Sequence, residues 1–425
     1  MNVYKTNDVF VPGGFPKLTY ISRSERSLEE SLREGKENLC KLITLTGPTK
    51  CGKTVLTRNI FPRSDVVWLD GGTFSDEISL WSEINSQLDT FTDTQKSTSD
   101  SSTDESQTEL FGEGGCLFLK ASGKASSTRG KIRTQEQTHS RSLNAKSVAI
   151  SSLRDTQKPL IIDDFHYLSR DIQGSVIRAL KALISEGLPV VILAIPHKRY
   201  DALRVEREMT GRIKQIQVPG WEKDELIKIA KKGFPLLNIE ISRKIETRIS
   251  EEALESPHLM QDFCREICHS KKIQETSKNK VILDEDVKLN DIFIDVAQTT
   301  GRTMFEKLKR GPRQRSDRIQ RTLKNGAKTD IYGVVLQALA NIKPGIETIN
   351  YEDLRASIRE VLKDSSPKRH EVSRVLDQMA IISASDESST PVIDWEKEEN
   401  RLHITDPFFA YYLRWGKIET AIKSK

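Results

Sequence analysis

Over residues 1–220 the chain alternates short apolar runs with longer amphipathic stretches. Five runs have the length and composition of buried strands: "LCKLITLTG", "DVVWLDGG", "KPLIIDDFHYL", "LPVVILAIPH" and "RIKQIQVPGW". Between them, apolar residues recur at helical spacing in "SDEISLWSEINSQLDTF", "SVAISSLRDTQ" and "DIQGSVIRALKALISEG". Buried strands that alternate with helices are typical of a parallel sheet with helices on both faces. The pattern therefore predicts an α/β domain over residues 1–220.

One long segment interrupts this alternation. Residues 93–146 are rich in serine and threonine, and they change from an acidic half, "TDTQKSTSDSSTDESQTE", to a basic half, "KASGKASSTRGKIRTQEQTHSRSLNAK". Such a composition offers too little apolar surface to offset the conformational entropy of the chain. We therefore predict a mobile, low-complexity insertion within the α/β domain.

Strand-like runs stop after Trp221, and the rest of the chain divides into three segments. Residues 221–298 hold four successive helical patterns, which predict a small helical lid subdomain. Residues 299–328 are predicted to form a basic linker. Residues 329–425 predict three helices followed by a hairpin in "PVIDWEKEENRLHIT". Three helices and a hairpin fit a winged helix-turn-helix domain.

The length and composition of the chain predict several domains and no membrane-spanning segment. At 425 residues the chain is longer than one ordinary domain, and 30% of its residues are charged. No run approaches the ~18 apolar residues that span a bilayer, and "MNVYKTNDVFVPGG" lacks the apolar core of a signal peptide. We expect a cytoplasmic protein without a membrane partner. The net charge of +5 is small, but it is concentrated in the 299–328 segment.

The five cysteines do not have the spacing of a disulfide framework. Cys264 and Cys268 lie one helical turn apart with His258 and His269 nearby, which raises the hypothesis of a zinc site. The competing interpretation is that both cysteines belong to the apolar stripe of an amphipathic helix, "HLMQDFCREICHS". The spacing differs from that of structural zinc sites and favours the helix.

The string "GPTKCGKT" follows the first predicted strand and precedes a helical pattern. It satisfies the phosphate-loop pattern G-x-x-x-x-G-K-[ST], in which glycines let backbone amides approach phosphate oxygens. The lysine then reaches the terminal phosphates, and the threonine hydroxyl binds Mg²⁺. We expect ATP to contact the eight residues of this loop: Gly47, Pro48, Thr49, Lys50, Cys51, Gly52, Lys53 and Thr54.

A second acidic motif ends the third predicted strand, in "PLIIDDFHYL". Asp163 is placed to bind Mg²⁺ through water, and Asp164 could orient the attacking water. The alternative is a solvated strand end without a catalytic role. His166 gives the string "DDFH", but no further helicase motif accompanies it.

Two positions further along are candidates for sensing or stabilising the phosphates. His197 follows the fourth strand, where it is either a sensor of the terminal phosphate or a histidine that caps the strand. Arg212 precedes the fifth strand, from which an arginine could reach the nucleotide of a neighbouring copy. Arg204 and Arg207 compete for that role, and a surface ion pair is the other interpretation of Arg212.

The order of "GPTKCGKT", "IIDDFHYL", a lid and a winged helix resembles AAA+ and STAND P-loop ATPases, nearest the origin-recognition and archaeal-ATPase branch. The ending "LHITDPFFAYYLRWG" is similar to the tail of archaeal-type ATPases. The resemblance implies that Lys53, Thr54 and Asp163 hold phosphate and Mg²⁺ and that Asp164 orients water. Asp164 stands where the family usually has glutamate, and "SPHLMQ" stands where many relatives have a sensor arginine. These departures favour a slow switch over a motor.

Two hypotheses describe what such a switch acts on. In the first, residues 299–425 bind double-stranded DNA or a DNA-associated complex. In the second, nucleotide-dependent association controls a separate effector protein, for example in bacterial antiviral defence. A homo-oligomer is compatible with both. A scaffold that binds nucleotide without turning it over is a third interpretation.

Overall fold

The computed structural model describes residues 2–37, 40–90, 145–195, 209, 211–284, 287–313, 318–345, 348–384 and 391–416. The chain divides into two compact units. The first, here called the sheet unit, comprises Glu30–Thr46 and Thr57–Ile216. The second, the helical unit, comprises Met1–Glu29, Gly47–Leu56 and Gln217–Lys425. Each unit has its own hydrophobic core.

The first 220 residues supply five strands and six helices among the described residues. The strands are β1 (Leu42–Thr46), β2 (Val67–Asp70), β3 (Leu160–Asp163), β4 (Val190–Ala194) and β5 (Ile213–Gln217). The helices are α1 (Thr6–Val9), α2 (Leu28–Lys36), α3 (Lys53–Ile60), α4 (Glu77–Gln87), α5 (145–156) and α6 (Arg170–Ser185).

The five apolar runs form the five strands of one sheet, as predicted, and the structure gives their order as β2-β3-β4-β1-β5. Pairing is parallel between β1 and β4, β2 and β3, and β3 and β4. In this register Thr46 lies opposite Ala194, and Asp70 lies opposite Asp163. The carboxyl ends of β1, β2, β3 and β4 therefore meet at one edge of the sheet. Ligands in open α/β sheets bind at this edge.

The sheet is buried because its central strands are apolar on both faces. β1 and β4 are buried at every position. Polar caps begin the flanking helices: Asp76 accepts a hydrogen bond from Ser79 N at the start of α4, and Ser169 accepts one from Ile172 N at the start of α6. Gly187, with φ of 105°, follows the end of α6 and turns the chain into β4.

The 221–298 segment of the helical unit contains four helices, as predicted, and two short strands that the sequence does not reveal. The helices are α7 (Lys223–Gly233), α8 (Arg243–Glu252), α9 (Pro257–Ser270) and α10 (Leu289–Thr300). The strands β6 (Ile239–Ile241) and β7 (Val281–Leu283) pair in parallel. Each has only three residues, which is too short for an alternating pattern to stand out. Cys264 and Cys268 are buried in the apolar face of α9.

Residues 299–328, predicted as a linker, contain the helix α11 (Arg302–Arg310) and the strand β8 (Arg321–Thr322). β8 pairs in antiparallel fashion with β9 (Lys328–Thr329). The chain continues through α12 (Ile331–Ile342), β10 (Thr348–Asn350), α13 (Tyr351–Val361), α14 (Arg369–Ala384), β11 (Ile393–Glu396), β12 (Arg401–Ile404) and α15 (Pro407–Trp415). β10, β12 and β11 form a three-stranded antiparallel sheet.

The expected fold class is confirmed: an α/β parallel-sheet domain is followed by a helical segment and by helices with the connectivity of a winged helix-turn-helix. The predicted hairpin is β11 and β12. The predicted insertion lies outside the described residues over 93–144, and its last two positions belong to α5. No helix among the described residues is both long and apolar enough to cross a membrane.

Candidate functional site: the 47–54 loop and the acidic strand end

The loop of residues 47–54 connects β1 to α3 and takes a conformation that its glycines permit. Gly47 is buried, and a Cβ at this position would collide with the Val218 carbonyl oxygen and lie 3.0 Å from Cys51 Sγ. Gly52 has φ of 94°, a backbone conformation that residues with a Cβ rarely adopt. Lys50 also has a positive φ, of 61°. Gly47 is therefore needed because the Val218 backbone approaches it closely, and Gly52 because of its positive φ.

Two carbonyl groups of this loop accept hydrogen bonds from Lys53, and one of its amides is engaged within the loop. Lys53 Nζ donates to the carbonyl oxygens of Gly47 and Pro48 at 2.9 and 2.8 Å. The Cys51 amide takes part in the turn that follows Pro48 and donates to its own thiol, whereas among the described residues no group accepts from the amides of residues 49, 50 and 52. Such amides suit an anion, and the amino end of α3 adds its positive dipole.

A tryptophan that the sequence does not single out holds the loop. The Trp221 indole Nε1 donates to the Cys51 carbonyl oxygen at 2.9 Å, in a buried contact. Arg23 is 6% exposed, and its guanidinium lies 5.0 Å from the Trp221 ring centroid. The same guanidinium donates to Glu225 and to the carbonyl oxygens of Pro219 and Gly220. This buried ion pair fixes the segment that carries Trp221.

Cys51 contributes its backbone to the loop and not its thiol. Its side chain is 2% exposed, and Sγ lies 4.0 Å from the Val218 carbonyl oxygen. Burial raises the pKa of the Cys51 thiol. The thiol is therefore a packing group below the loop.

On its outer side the loop contacts the lid and the C-terminal helix. Lys50 Nζ lies 5.5 Å from the centroid of the Phe408 ring, which belongs to α15. His258 in α9 packs edge-on against the same ring at 4.8 Å, and its Nε2 lies 3.7 Å from Asp262 Oδ2. Burial, with Lys50 and Arg265 as neighbouring positive charges, lowers the pKa of His258 to about 4. His258 is therefore neutral at pH 7.

The two predicted acids lie at the carboxyl edge of the sheet, in the sheet unit. Asp163 is 8% exposed, and its Oδ1 accepts a hydrogen bond from Asp164 N at 3.0 Å. Asp164 adopts a left-handed backbone with φ of 50°, and Gly71 leaves room for its carbonyl oxygen. Gln173, another residue that the pattern does not reveal, donates to the carbonyl oxygens of Phe165 and Leu168 and secures the turn after β3.

Arg212 lies at the opposite edge of the sheet from these acids. Its carbonyl oxygen accepts from Leu42 N, at the start of β1, and its guanidinium donates to Ser185 Oγ at 3.1 Å. The four residue steps along β1 span about 13 Å. Arg212 is thus too far from the carboxyl edge to serve its own chain's site. An exposed arginine at this edge is accessible to a second copy.

The remaining candidate, His197, lies outside the described residues, as do the competitors Arg204 and Arg207. Within the helical unit, the loop amides and Lys53 are groups that suit phosphate oxygens, and the Thr54 hydroxyl is an oxygen ligand of the kind that Mg²⁺ prefers. Within the sheet unit, the Asp163 carboxylate is another such ligand. Among the described residues there is no cluster of three or more histidines, cysteines or acids suited to a metal.

No protein-family model matches the chain, and no curated protein sequence matches it. Among solved structures, the chain is similar to a Walker-type ATPase of Pyrococcus abyssi with a TM-score of 0.54 and 16% identity, over 95% of this chain and 99% of the other. It is also similar to Cdc6p from Pyrobaculum aerophilum (TM-score 0.43, 15% identity, 97% of each chain). A third is the Aeropyrum pernix ORC1 protein in complex with DNA (TM-score 0.45, 12% identity, 96% and 95%). The predicted resemblance to P-loop ATPases is confirmed at the level of the fold.

Proposed function

We propose that this chain, which has the fold of a Walker-type ATPase, binds ATP with Mg²⁺, hydrolyses it slowly and acts as a nucleotide-dependent switch on DNA or a DNA-associated complex. The phosphate-loop conformation carries the proposal, with the amides of residues 49, 50 and 52 beside the Lys53 ammonium. Backbone amides that the fold leaves without an acceptor lower its stability unless water or a ligand satisfies them. An anion with several oxygens fits this arrangement, and a triphosphate supplies them.

Binding proceeds by an exchange of partners at Lys53. In the free loop, Lys53 Nζ donates to the Gly47 and Pro48 carbonyl oxygens, which holds the ammonium within the loop. When phosphate oxygens enter, the ammonium turns to them, because a charge-assisted hydrogen bond to an anion is stronger than one to a neutral carbonyl. The loop therefore needs little rearrangement to bind a triphosphate.

Hydrolysis requires a group that orients water and a group that holds the metal. Asp163 would hold Mg²⁺ together with Thr54, and the metal would neutralise charge that develops on the phosphate oxygens. Asp164 would orient the attacking water. Its side chain is one methylene shorter than glutamate and follows a left-handed backbone, so it reaches less far from the strand end. Slow turnover follows from this shorter reach.

A second copy of the chain completes the proposed site. Arg212 cannot reach its own chain's acids, and it is exposed at the amino edge of the sheet. An arginine supplied by a neighbour stabilises the transition-state charge without contributing to nucleotide binding by the monomer. ATP-dependent association is therefore part of the proposal.

The test combines nucleotide binding with association. Size-exclusion chromatography is run with ATP and Mg²⁺, with ADP and with a DNA duplex, on the wild type and on Lys53→Ala. We expect ATP to bind the wild type and shift its elution, and we expect the Lys53→Ala variant to show neither effect. Equal ATP affinity in both proteins would refute the loop as the nucleotide site. A shift in elution with ATP that occurs only when a co-purified protein is present, and that DNA does not change, would favour control of an effector protein instead.

A further inference from the structure

The small sheet of β6 and β7 leaves one edge of β6 unpaired. Within the described parts of the chain, β6 pairs with β7 and with no other strand. Val281 N donates to the Asn238 carbonyl oxygen at 3.0 Å, so residue 238 faces β7. Backbone groups of successive residues point to opposite edges of a strand, and those of Ile239 and Ile241 therefore point away from β7. No described group forms a hydrogen bond with them. An edge of this kind can pair with an added strand.

A pocket of about 360 Å³ adjoins β6. All three residues of the strand line it, together with the end of α7, the 3₁₀ turn Phe234–Leu237 that follows α7, and α8. The lining residues Ala230 and Phe234 are completely buried, which makes the inner part of the pocket apolar. Since β7 covers the other edge of β6, we place the unpaired edge at this pocket. Its volume is near the lower end of that of ligand sites and suits one long side chain.

The pocket contains a carboxylate that lacks a partner. Glu246 of α8 is 7% exposed, and in the part of the chain that the structure describes its carboxylate forms no ion pair and no hydrogen bond. Burial raises the pKa of Glu246, although Lys231 and Arg243 lie near enough to oppose the shift. Both of these basic side chains are exposed, so water screens their charges. A cation that enters the pocket therefore stabilises the buried carboxylate.

The other charges at the pocket also favour a cationic ligand. Lys280 and Glu240 line the pocket, are both exposed and form an ion pair with each other. Lys231 is exposed whereas Glu246 is buried, so a ligand that fills the pocket meets the acid and leaves the base in water. An anionic side chain would add a second buried negative charge. An arginine or a lysine instead packs its aliphatic stem on apolar groups and brings its positive end to the carboxylate.

We propose that β6 binds an extended segment of a partner protein by strand addition, with a basic side chain of that segment held in the pocket by Glu246. Hydrogen bonds to Ile239 and Ile241 supply affinity for an extended backbone, and the pocket selects the basic side chain. An arginine suits the site best, because its guanidinium forms two parallel hydrogen bonds with a carboxylate. The inference goes beyond the proposed function and does not depend on it, since it uses no residue of the 47–54 loop or of the acidic strand end.

The experiment measures fluorescence anisotropy of a labelled peptide with the full chain. The peptide alternates valine and threonine around one central arginine and has about seven residues, which is enough to extend past β6 at both ends. The test variant is Glu246→Gln. The control variant is Glu251→Gln, which removes the same charge from an exposed residue of α8. We expect the wild type and the control to bind alike and Glu246→Gln to bind at least about tenfold more weakly, because it loses a hydrogen bond between charged groups.

A second peptide tests the backbone pairing. It carries N-methyl groups on the two residues after the arginine, which removes N–H donors from both of its edges. On the protein, Ile241→Pro removes one N–H of the unpaired edge, a group that the pairing with β7 does not use, whereas Ile241→Val keeps it. We expect the methylated peptide on the wild type, and the original peptide on Ile241→Pro, to bind at least about tenfold more weakly. Ile241→Val should bind the original peptide as the wild type does.

Four outcomes would overturn the inference. Equal affinities of Glu246→Gln and Glu251→Gln would show that the pocket does not select the side chain. Unchanged binding of the methylated peptide by the wild type would show that the peptide does not add as a strand, and this result holds even if Ile241→Pro does not fold. Tighter binding of a peptide with glutamate in place of arginine would identify an acidic segment as the partner. Absence of binding at about 1 mM of the arginine peptide would exclude the site.

Discussion

Replacing Trp221 with phenylalanine tests whether the loop is held from the start of the lid. The substitution keeps a ring in place and removes the indole donor to the Cys51 carbonyl oxygen, 2.9 Å away. Trp395 supplies a matched control. It is 8% exposed against 9% for Trp221, and no described group accepts from its Nε1. Trp395→Phe therefore removes the same atoms without breaking a hydrogen bond.

The magnitude follows from the carbonyl that is left buried. A buried acceptor without a partner costs about 1–3 kcal/mol. If the whole cost falls on the loop conformation that presents the amides, that conformation becomes about 5-fold to 150-fold less populated, and the apparent affinity for nucleotide falls by the same factor. The lost ring area is common to Trp221→Phe and Trp395→Phe, so their difference reports the hydrogen bond, the change in the Arg23–ring contact and the removal of the unpaired Trp395 N–H.

The assay is equilibrium titration with a fluorescent ATP analogue, together with urea unfolding of both variants and the wild type. We expect Trp221→Phe to bind the analogue at least about fivefold more weakly than Trp395→Phe. Analogue affinities within twofold of each other would refute the reasoning, because the Trp221 contact would then have no influence on the loop. If the two variants have equal shifts in urea midpoint but unequal affinities for the analogue, the reasoning is supported, because the substitution at Trp221 then affects the loop and not the overall stability.

Three further substitutions test other parts of the site. Gly47→Ala places a Cβ against the Val218 carbonyl oxygen, and we expect a loss of stability of about 1–3 kcal/mol and loss of ATP binding, measured by urea unfolding and titration; an unchanged protein would contradict the loop geometry. His258→Gln removes a histidine whose pKa is lowered from 6.5 to about 4. The unfolded chain takes up this proton below pH 6.5 and the folded chain does not, so His258 stabilises the fold above pH 6.5 and this stability is lost as pH falls towards 4. From pH 7 to pH 5 the unfolding free energy of the wild type should fall by about 2 kcal/mol more than that of His258→Gln, and parallel pH profiles would count against the buried neutral histidine. Arg212→Ala should leave ATP affinity unchanged and lower turnover about 10³-fold only in samples that associate, measured as phosphate release against protein concentration; a loss in dilute monomer would place the arginine in its own chain's site.

The sequence predicts those parts of the fold that have a local signal. β1 to β5 are recognisable because each is a short apolar run between turn residues, and the loop is recognisable because its glycines and lysine occur at fixed spacing.

The supports of the site depend on contacts between distant residues and leave no such signal. Cys51 and Trp221 are 170 positions apart, so neither residue indicates the other. The hairpin of residues 321–329 lies in a segment whose charge suggests an irregular linker, and its bridge from Leu323 to Leu362 joins positions 39 residues apart. The sequence indicates Arg212 because it precedes the fifth predicted strand. The edge of the sheet on which Arg212 lies is known only from the hydrogen bond between its carbonyl oxygen and Leu42 N.

Within the helical unit the loop has two contacts of different strength, with Trp221 and with Phe408, and this difference bears on how a switch could work. The buried hydrogen bond from Trp221 holds the Cys51 carbonyl, whereas Lys50 is exposed and contacts Phe408 only through a cation–π interaction. Exposed cation–π contacts contribute about 0.5–1 kcal/mol, and a hydrogen bond between an ammonium and a charged group contributes about 1.5–3 kcal/mol. A phosphate on the loop would therefore compete for Lys50 and remove its contact with Phe408, which would keep its contact with His258, while the hydrogen bond from Trp221 would remain. The difference of about 1–2 kcal/mol lies within the range of ordinary allosteric coupling, and it acts on α15, which directly follows the β11–β12 hairpin.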